Sequence, residues 1–138
     1  PENRFGTPMN LLGSHDTTRI ASQPRTSPER IRLALALLFF MPGAPCIYYG
    51  DEIGMEGGKD PDCRRAFPWD QLKARKALPI YKFIRELTRM RHEDPVLRDG
   101  KVQIESDKAG FTVTRTLGKK KMALAVSFAG AEPAFEIQ

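Results

Sequence analysis

The sequence predicts an α/β chain in which a parallel strand–helix–strand unit and a second helix lead into short antiparallel strands. Three features carry this. Two short apolar runs, at 9–14 and 46–49, are separated by a long apolar helix, and strands joined by a connection of that length pair in parallel. A second helix is marked by Ile80, Phe83, Ile84, Leu87 and Met90 at helical spacing. Beyond it, Met122, Leu124, Val126 and Phe128 alternate with small residues, the period of a strand with one face on a core.

Residues 9–14 form an apolar run, expected as a strand buried on both faces. Ser27-Pro28-Glu29 is a helix start: a capping hydroxyl, Pro at the first helical position and an acid near the positive end of the dipole. Ile31, Ala34, Leu35 and Leu38 continue the helix, and Pro42 and Gly43 stop it. The second strand is expected at 46–49, entered by Pro45 and left by Gly50. A long loop over 54–70 follows, then the helix through Met90, which should end near His92, before Pro95. Strands are expected at 101–105, 111–115, 122–128 and 134–137, with hairpin turns at 107–110 and 117–120.

Composition narrows the function classes. At 138 residues, with 41% hydrophobic and 28% charged, the chain suits one domain or pieces of two. The net charge is +5, but the basic residues are spread out, and their only tight run, Lys119-Lys120-Lys121, falls in a hairpin turn. No aromatic or helical pattern accompanies it, which argues against a nucleic-acid binder. Cys46 and Cys63 have neither disulfide-framework nor zinc spacing, and their use favours a reducing compartment such as the cytoplasm. No run reaches the length of a membrane span. The chain opens on Pro1 rather than Met, which reads as an internal start, so the missing signal peptide leaves localisation open.

The chemistry gathers at the expected strand exits, where parallel α/β folds place their ligands. His15-Asp16 and Asp51-Glu52 fall there, together with the long loop and its Arg64-Arg65 pair. Carboxylates, an imidazole, guanidinium groups and aromatic faces make a sugar-binding inventory.

These residues resemble a known family. Asn10-Leu-Leu-Gly-Ser-His-Asp16 resembles the last of the short conserved regions of the α-amylase family, glycoside hydrolase family 13. The run from Met41 to Met55 looks like that family's eighth barrel strand and its exit. Gly57-Gly-Lys-Asp-Pro-Asp-Cys-Arg-Arg65, with Trp69 after it, is similar to the neopullulanase, cyclomaltodextrinase and maltogenic amylase branch. The resemblance implies the last two βα units of a TIM (β/α)8 barrel at 1–97 and the start of an all-β C-terminal domain at 98–138.

It also implies roles. Asp16 matches the family's third catalytic carboxylate, which neither attacks nor protonates but grips the sugar hydroxyls and stabilises the oxocarbenium-like transition state. His15 matches the histidine that binds the same sugar, and Asp60 and Arg64 match a pair holding the next glucose on the non-reducing side. The expected substrates are α-1,4-linked or α-1,6-linked maltooligosaccharides, cyclodextrins or pullulan, cleaved with retention. No metal or cofactor is expected in this chain. Retaining enzymes need a nucleophile and an acid/base carboxylate about 5 Å apart, and the motifs that carry them in the family are absent from this sequence. The chain alone is therefore expected to be inactive.

Plainer readings stand beside these. Asp51 and Glu52 are expected to bind backbone amides at the loop entrance. Arg19 is open between substrate binding and an ion pair holding its loop, and Trp69 between a sugar platform and loop packing. Tyr48 and Tyr49 should face opposite sides of their strand, and Cys46 should be core. A metal-dependent phosphohydrolase built on His15-Asp16 would need further histidines, and only His92 remains. A non-catalytic carbohydrate-binding or structural module is the alternative function. Two strands and two helices leave unpaired edges, so the segment should self-associate, rearrange or lean on its β-region; a dimer of a longer parent is left open.

Overall fold

The structure is a computed structural model that describes residues 6–75, 78–129 and 134–138. Strand β1 (Met9–Leu11) pairs in parallel with β2 (Ala44–Cys46), and helix α1 (Pro28–Phe40) makes the crossover. Helices α2 (Pro79–Glu93) and α3 (Pro95–Asp99) come next. Strands β3 (Lys101–Ser106), β4 (Gly110–Leu117), β5 (Lys120–Ser127) and β6 (Ala134–Ile137) form an antiparallel sheet in sequential order.

Helix α1 begins as its sequence dictates. The Ser27 hydroxyl accepts from the Arg30 amide at 3.2 Å, and Pro28 occupies the first turn, where no amide hydrogen is needed. Its face is apolar nearly all round, so it must be covered on two sides. Leu35, Leu38 and Phe39 pack on Ile84 and Leu87 of α2. Ala36 and Phe40 pack on Leu97, Val113, Leu124 and Val126, which joins α1 to α3 and the antiparallel sheet in one core. Each fully buried Leu or Phe in these clusters contributes about 2 kcal/mol through apolar surface removed from water.

No basic residue lies in the last turn of α1, yet its carbonyls are not left bare. Arg91 of α2 donates to Phe39 O at 2.6 Å and also to Gly43 O. Arg115 of β4, 1% exposed, donates to Phe40 O at 2.6 Å and to Gly100 O at 2.8 Å. Two guanidinium groups from distant elements thus occupy the negative end of the α1 dipole. Burial, and after it the neighbouring cation, lowers the pKa of each: Arg98 for Arg91, and Arg91 for Arg115.

The hairpins form where expected. Asp107 Oδ1 accepts from the amides of Ala109 and Gly110 at 2.7 and 3.0 Å. Gly118, at φ +59°, turns β4 into β5 in the left-handed backbone that glycine adopts without strain.

Three expectations are corrected. The first strand is shorter than 9–14 and not buried: Met9 and Leu11 are 64% and 44% exposed, because among the described residues β1 has a strand partner on one edge only. The second strand lies at 44–46 rather than 46–49; it includes Pro45, whose missing amide hydrogen is tolerated on a strand paired on one side. Cys46 is half-buried rather than core. Helix α2 ends at Glu93, before Pro95 as expected, and Pro95 then opens the short α3, with Asp94 Oδ1 accepting from the Val96 amide at 2.9 Å.

Candidate functional site

The exit of β1 is a tight turn built from its own hydroxyls. The Ser14 amide donates to Thr17 Oγ1 at 2.9 Å, and the Asp16 amide donates to Ser14 Oγ at 3.1 Å. This turn presents His15 and Asp16 to solvent, 63% and 66% exposed, with Nε2 of His15 at 3.1 Å from Oδ2 of Asp16.

The loop after β2 approaches from the other side. Arg64 Nε lies 2.7 Å from Asp60 Oδ1 and its NH2 lies 3.3 Å from Asp16 Oδ1. Arg64 Nε also donates to the His15 carbonyl at 3.0 Å, and the Cys63 thiol donates to the same oxygen at 3.0 Å. All four residues singled out from the sequence, His15, Asp16, Asp60 and Arg64, therefore belong to one polar cluster. Ion pairs this open add at most about 1 kcal/mol to stability each, so the cluster is poorly explained as a folding device. Its chemistry suits hydroxyl groups: two carboxylates accept, while an imidazole and a guanidinium donate.

Beneath this exposed layer lies a buried one centred on Arg19, which is 0% exposed. Its Nε donates to Cys63 O at 2.9 Å, and its NH1 donates to Tyr49 O at 2.5 Å and to Asp51 Oδ1 at 3.3 Å. The guanidinium carbon sits 4.5 Å from the ring centres of both Tyr48 and Tyr49. Arg19 thus holds its loop and is closed off from solvent. The tyrosines, expected on opposite faces, instead converge on one cation. Glu52 serves the backbone as expected, accepting from the Gly50 amide at 2.7 Å. Nothing in residue spacing announced the Arg19 centre, because the partners of its side-chain hydrogen bonds stand 30 or more positions away.

Asp51 is 4% exposed, and burial pushes its carboxyl up from 3.8 to about 6, against the opposing pull of Arg19. Between those two values the folded chain holds a proton that the unfolded chain has released. The contribution of Asp51 to stability is thus fully present below pH 3.8 and is lost as pH rises through about 6. Its size is about 3 kcal/mol. We expect Asp51→Asn to remove that decline, which urea unfolding at pH 4 and pH 7 measures. Equal pH dependence in both proteins would disprove the assignment.

The rim of the loop is held by its own pairs. Arg65 Nε meets Asp62 Oδ1 at 2.7 Å, and Asp62 Oδ2 accepts from the Gly58 amide at 2.6 Å. Arg65 first, then the amide, holds the Asp62 carboxyl below the usual carboxylate range. Trp69 is 72% exposed, with its ring centre 5.0 Å from that of Phe67. His92 Nδ1 sits 2.9 Å from Thr88 O in the last turns of α2. Among the described residues no group of three or more His, Cys, Asp or Glu side chains could hold a metal ion, and no helix is long and apolar enough to cross a membrane.

A parallel βα unit with a solvent-open cluster of polar side chains at its strand exits defines a segment of an α/β catalytic domain. The chain belongs to the α-amylase family: the family model for the alpha amylase catalytic domain matches residues 3–123. A cyclomaltodextrinase from Bacillus sp is 43% identical over 92 residues, which cover 67% of this chain and 16% of that protein. Neopullulanase 2 of Thermoactinomyces vulgaris is 41% identical over 103 residues, covering 75% and 17%. The solved structure of maltogenic amylase from S. marinus superposes with a TM-score of 0.77 at 35% identity, covering 86% of this chain and 17% of that one. The chain thus spans about a sixth of the length of the curated relatives it matches. It carries βα units of the family's (β/α)8 barrel followed by strands of an antiparallel C-terminal β-domain.

Proposed function

We propose that this chain supplies the substrate-gripping end of an α-glucan hydrolase or transglycosidase acting on maltooligosaccharides, cyclodextrins or pullulan. The observation that supports this best is the joining of His15–Asp16 to Asp60–Arg64 through Arg64, on the strand-exit side of a family-matched barrel segment. Asp16 is the transition-state carboxylate. It binds ring hydroxyls of the sugar whose bond breaks, and its negative charge favours the oxocarbenium-like species over the ground state. His15 donates to the same sugar. Arg64, oriented by Asp60, donates to the next glucose unit. The nucleophile and the acid/base belong to parts of the parent protein outside this chain, and bond cleavage with retention needs both.

Purified by itself, this chain should not hydrolyse maltotriose or β-cyclodextrin. Turnover that disappears on Asp16→Asn would refute the division of labour. The competing reading, a free-standing carbohydrate-binding module, makes the opposite forecast for binding. Calorimetric titration with maltose should give weak or no heat if most of the cleft wall lies elsewhere, and tight binding would favour the module.

A further inference from the structure

Arg19 itself touches no solvent, yet it links every segment that carries the exposed cluster. The Arg19 amide donates to Gly57 O at 3.0 Å, and its side chain holds Cys63 O and Tyr49 O. Cys63 in turn gives its thiol to His15 O, and the adjacent Arg64 bonds to the same carbonyl. One buried guanidinium therefore ties the exit of β1 (His15, Asp16), the exit of β2 (Tyr49, Asp51) and the 57–64 loop into one unit.

The fit around it is tight. A Cβ placed on Gly57 would stand 2.8 Å from Asp62 O, 3.0 Å from Cys63 Cα and 3.2 Å from Arg19 Cδ. Two aromatic rings, tilted 63° to each other, pack against the guanidinium with their centres 4.5 Å from its carbon, which limits its freedom to turn. Above it, the contact between Arg64 and Asp16 is 3.3 Å long and half in water, and such a pair has little power to align itself.

We propose that Arg19 is a positioning residue for the substrate-gripping cluster. It sets the place of Arg64 relative to Asp16 by anchoring the Cys63 carbonyl, and it makes no contact with the sugar. The inference rests on the function proposed above for His15, Asp16, Asp60 and Arg64. A lysine at this position keeps the charge opposite Asp51 but lacks the planar fork that reaches Cys63 O and Tyr49 O together. Misplacing the cluster by a fraction of an ångström should lower kcat more than it raises KM.

The experiment is a double-mutant cycle in the full-length protein that carries this chain, with maltotriose as substrate. Arg19→Lys alone should lower kcat about 30-fold with KM changed by less than about threefold, within the range known for groups that orient reactants. Arg64→Lys should cost much less in the Arg19→Lys background than in the unmodified protein, because Arg64 is already out of place. Effects that multiply independently would overturn the proposal, as would an Arg19→Lys enzyme of unchanged kcat. Should Arg19→Lys fail to fold, Tyr48→Leu removes one aromatic face, keeps every hydrogen bond of the guanidinium and is read in the same cycle. An unmodified full-length protein that turns over no α-glucan would sink the functional reading and this inference with it. An active one with a multiplicative cycle would sink this inference alone.

Discussion

Replacing Asp16 by asparagine in the full-length protein is expected to lower kcat/KM for maltotriose by about 10³-fold, the scale seen when one preorganised electrostatic partner of a transition state is removed. Asparagine preserves the shape of the side chain and one acceptor oxygen. In the role proposed for Asp16, it removes the charge that would complement a cationic sugar ring, and it weakens the contacts with His15 at 3.1 Å and Arg64 at 3.3 Å. Because the charge on the ring develops only on the way to the transition state, the loss should fall mainly on kcat. Steady-state kinetics decide the matter: a loss below about tenfold would leave Asp16 as an ordinary binding contact.

Arg115→Met is expected to destabilise the chain by about 3–4 kcal/mol. Methionine fills much of the aliphatic volume but donates nothing. It leaves Phe40 O at the end of α1 and Gly100 O ahead of β3 without their buried partner. In a domain of this size that loss lowers the melting temperature by about 10–15 °C. Arg98 provides the contrast, since it is exposed and donates to the carbonyls of Arg91 and His92 at the surface. Arg98→Met should cost less than about 1 kcal/mol. Calorimetry on both variants tests the argument, and similar melting temperatures would contradict it.

Much of this molecule could be read from its sequence, for local reasons. Ser27-Pro28-Glu29 starts α1 because its hydroxyl and ring act on amides within the same turn. Asp107 and Gly118 make their hairpins through bonds and dihedrals within a few residues. The four residues of the exposed cluster were named from motifs, and the structure brings them together. The rest arises where a local signal is incomplete. Pro95 follows the end of α2 as expected and is also the first turn of α3, which only the Asp94 cap selects. The apolar run at β1 indicates a buried strand, but burial depends on neighbours, and the described residues supply β1 with one paired edge.

By itself, the sequence determined the order of helices and strands, the family and the identity of the exposed polar residues. Each of these is written in short stretches whose chemistry acts over a turn or a strand. Only the tertiary structure decided what Arg19, Arg91 and Arg115 do. Each has a partner 30 to 75 positions away, and several of those partners are backbone carbonyls, which every residue has and no motif can display. A buried guanidinium is stable only where the fold brings enough acceptors and aromatic faces to one point.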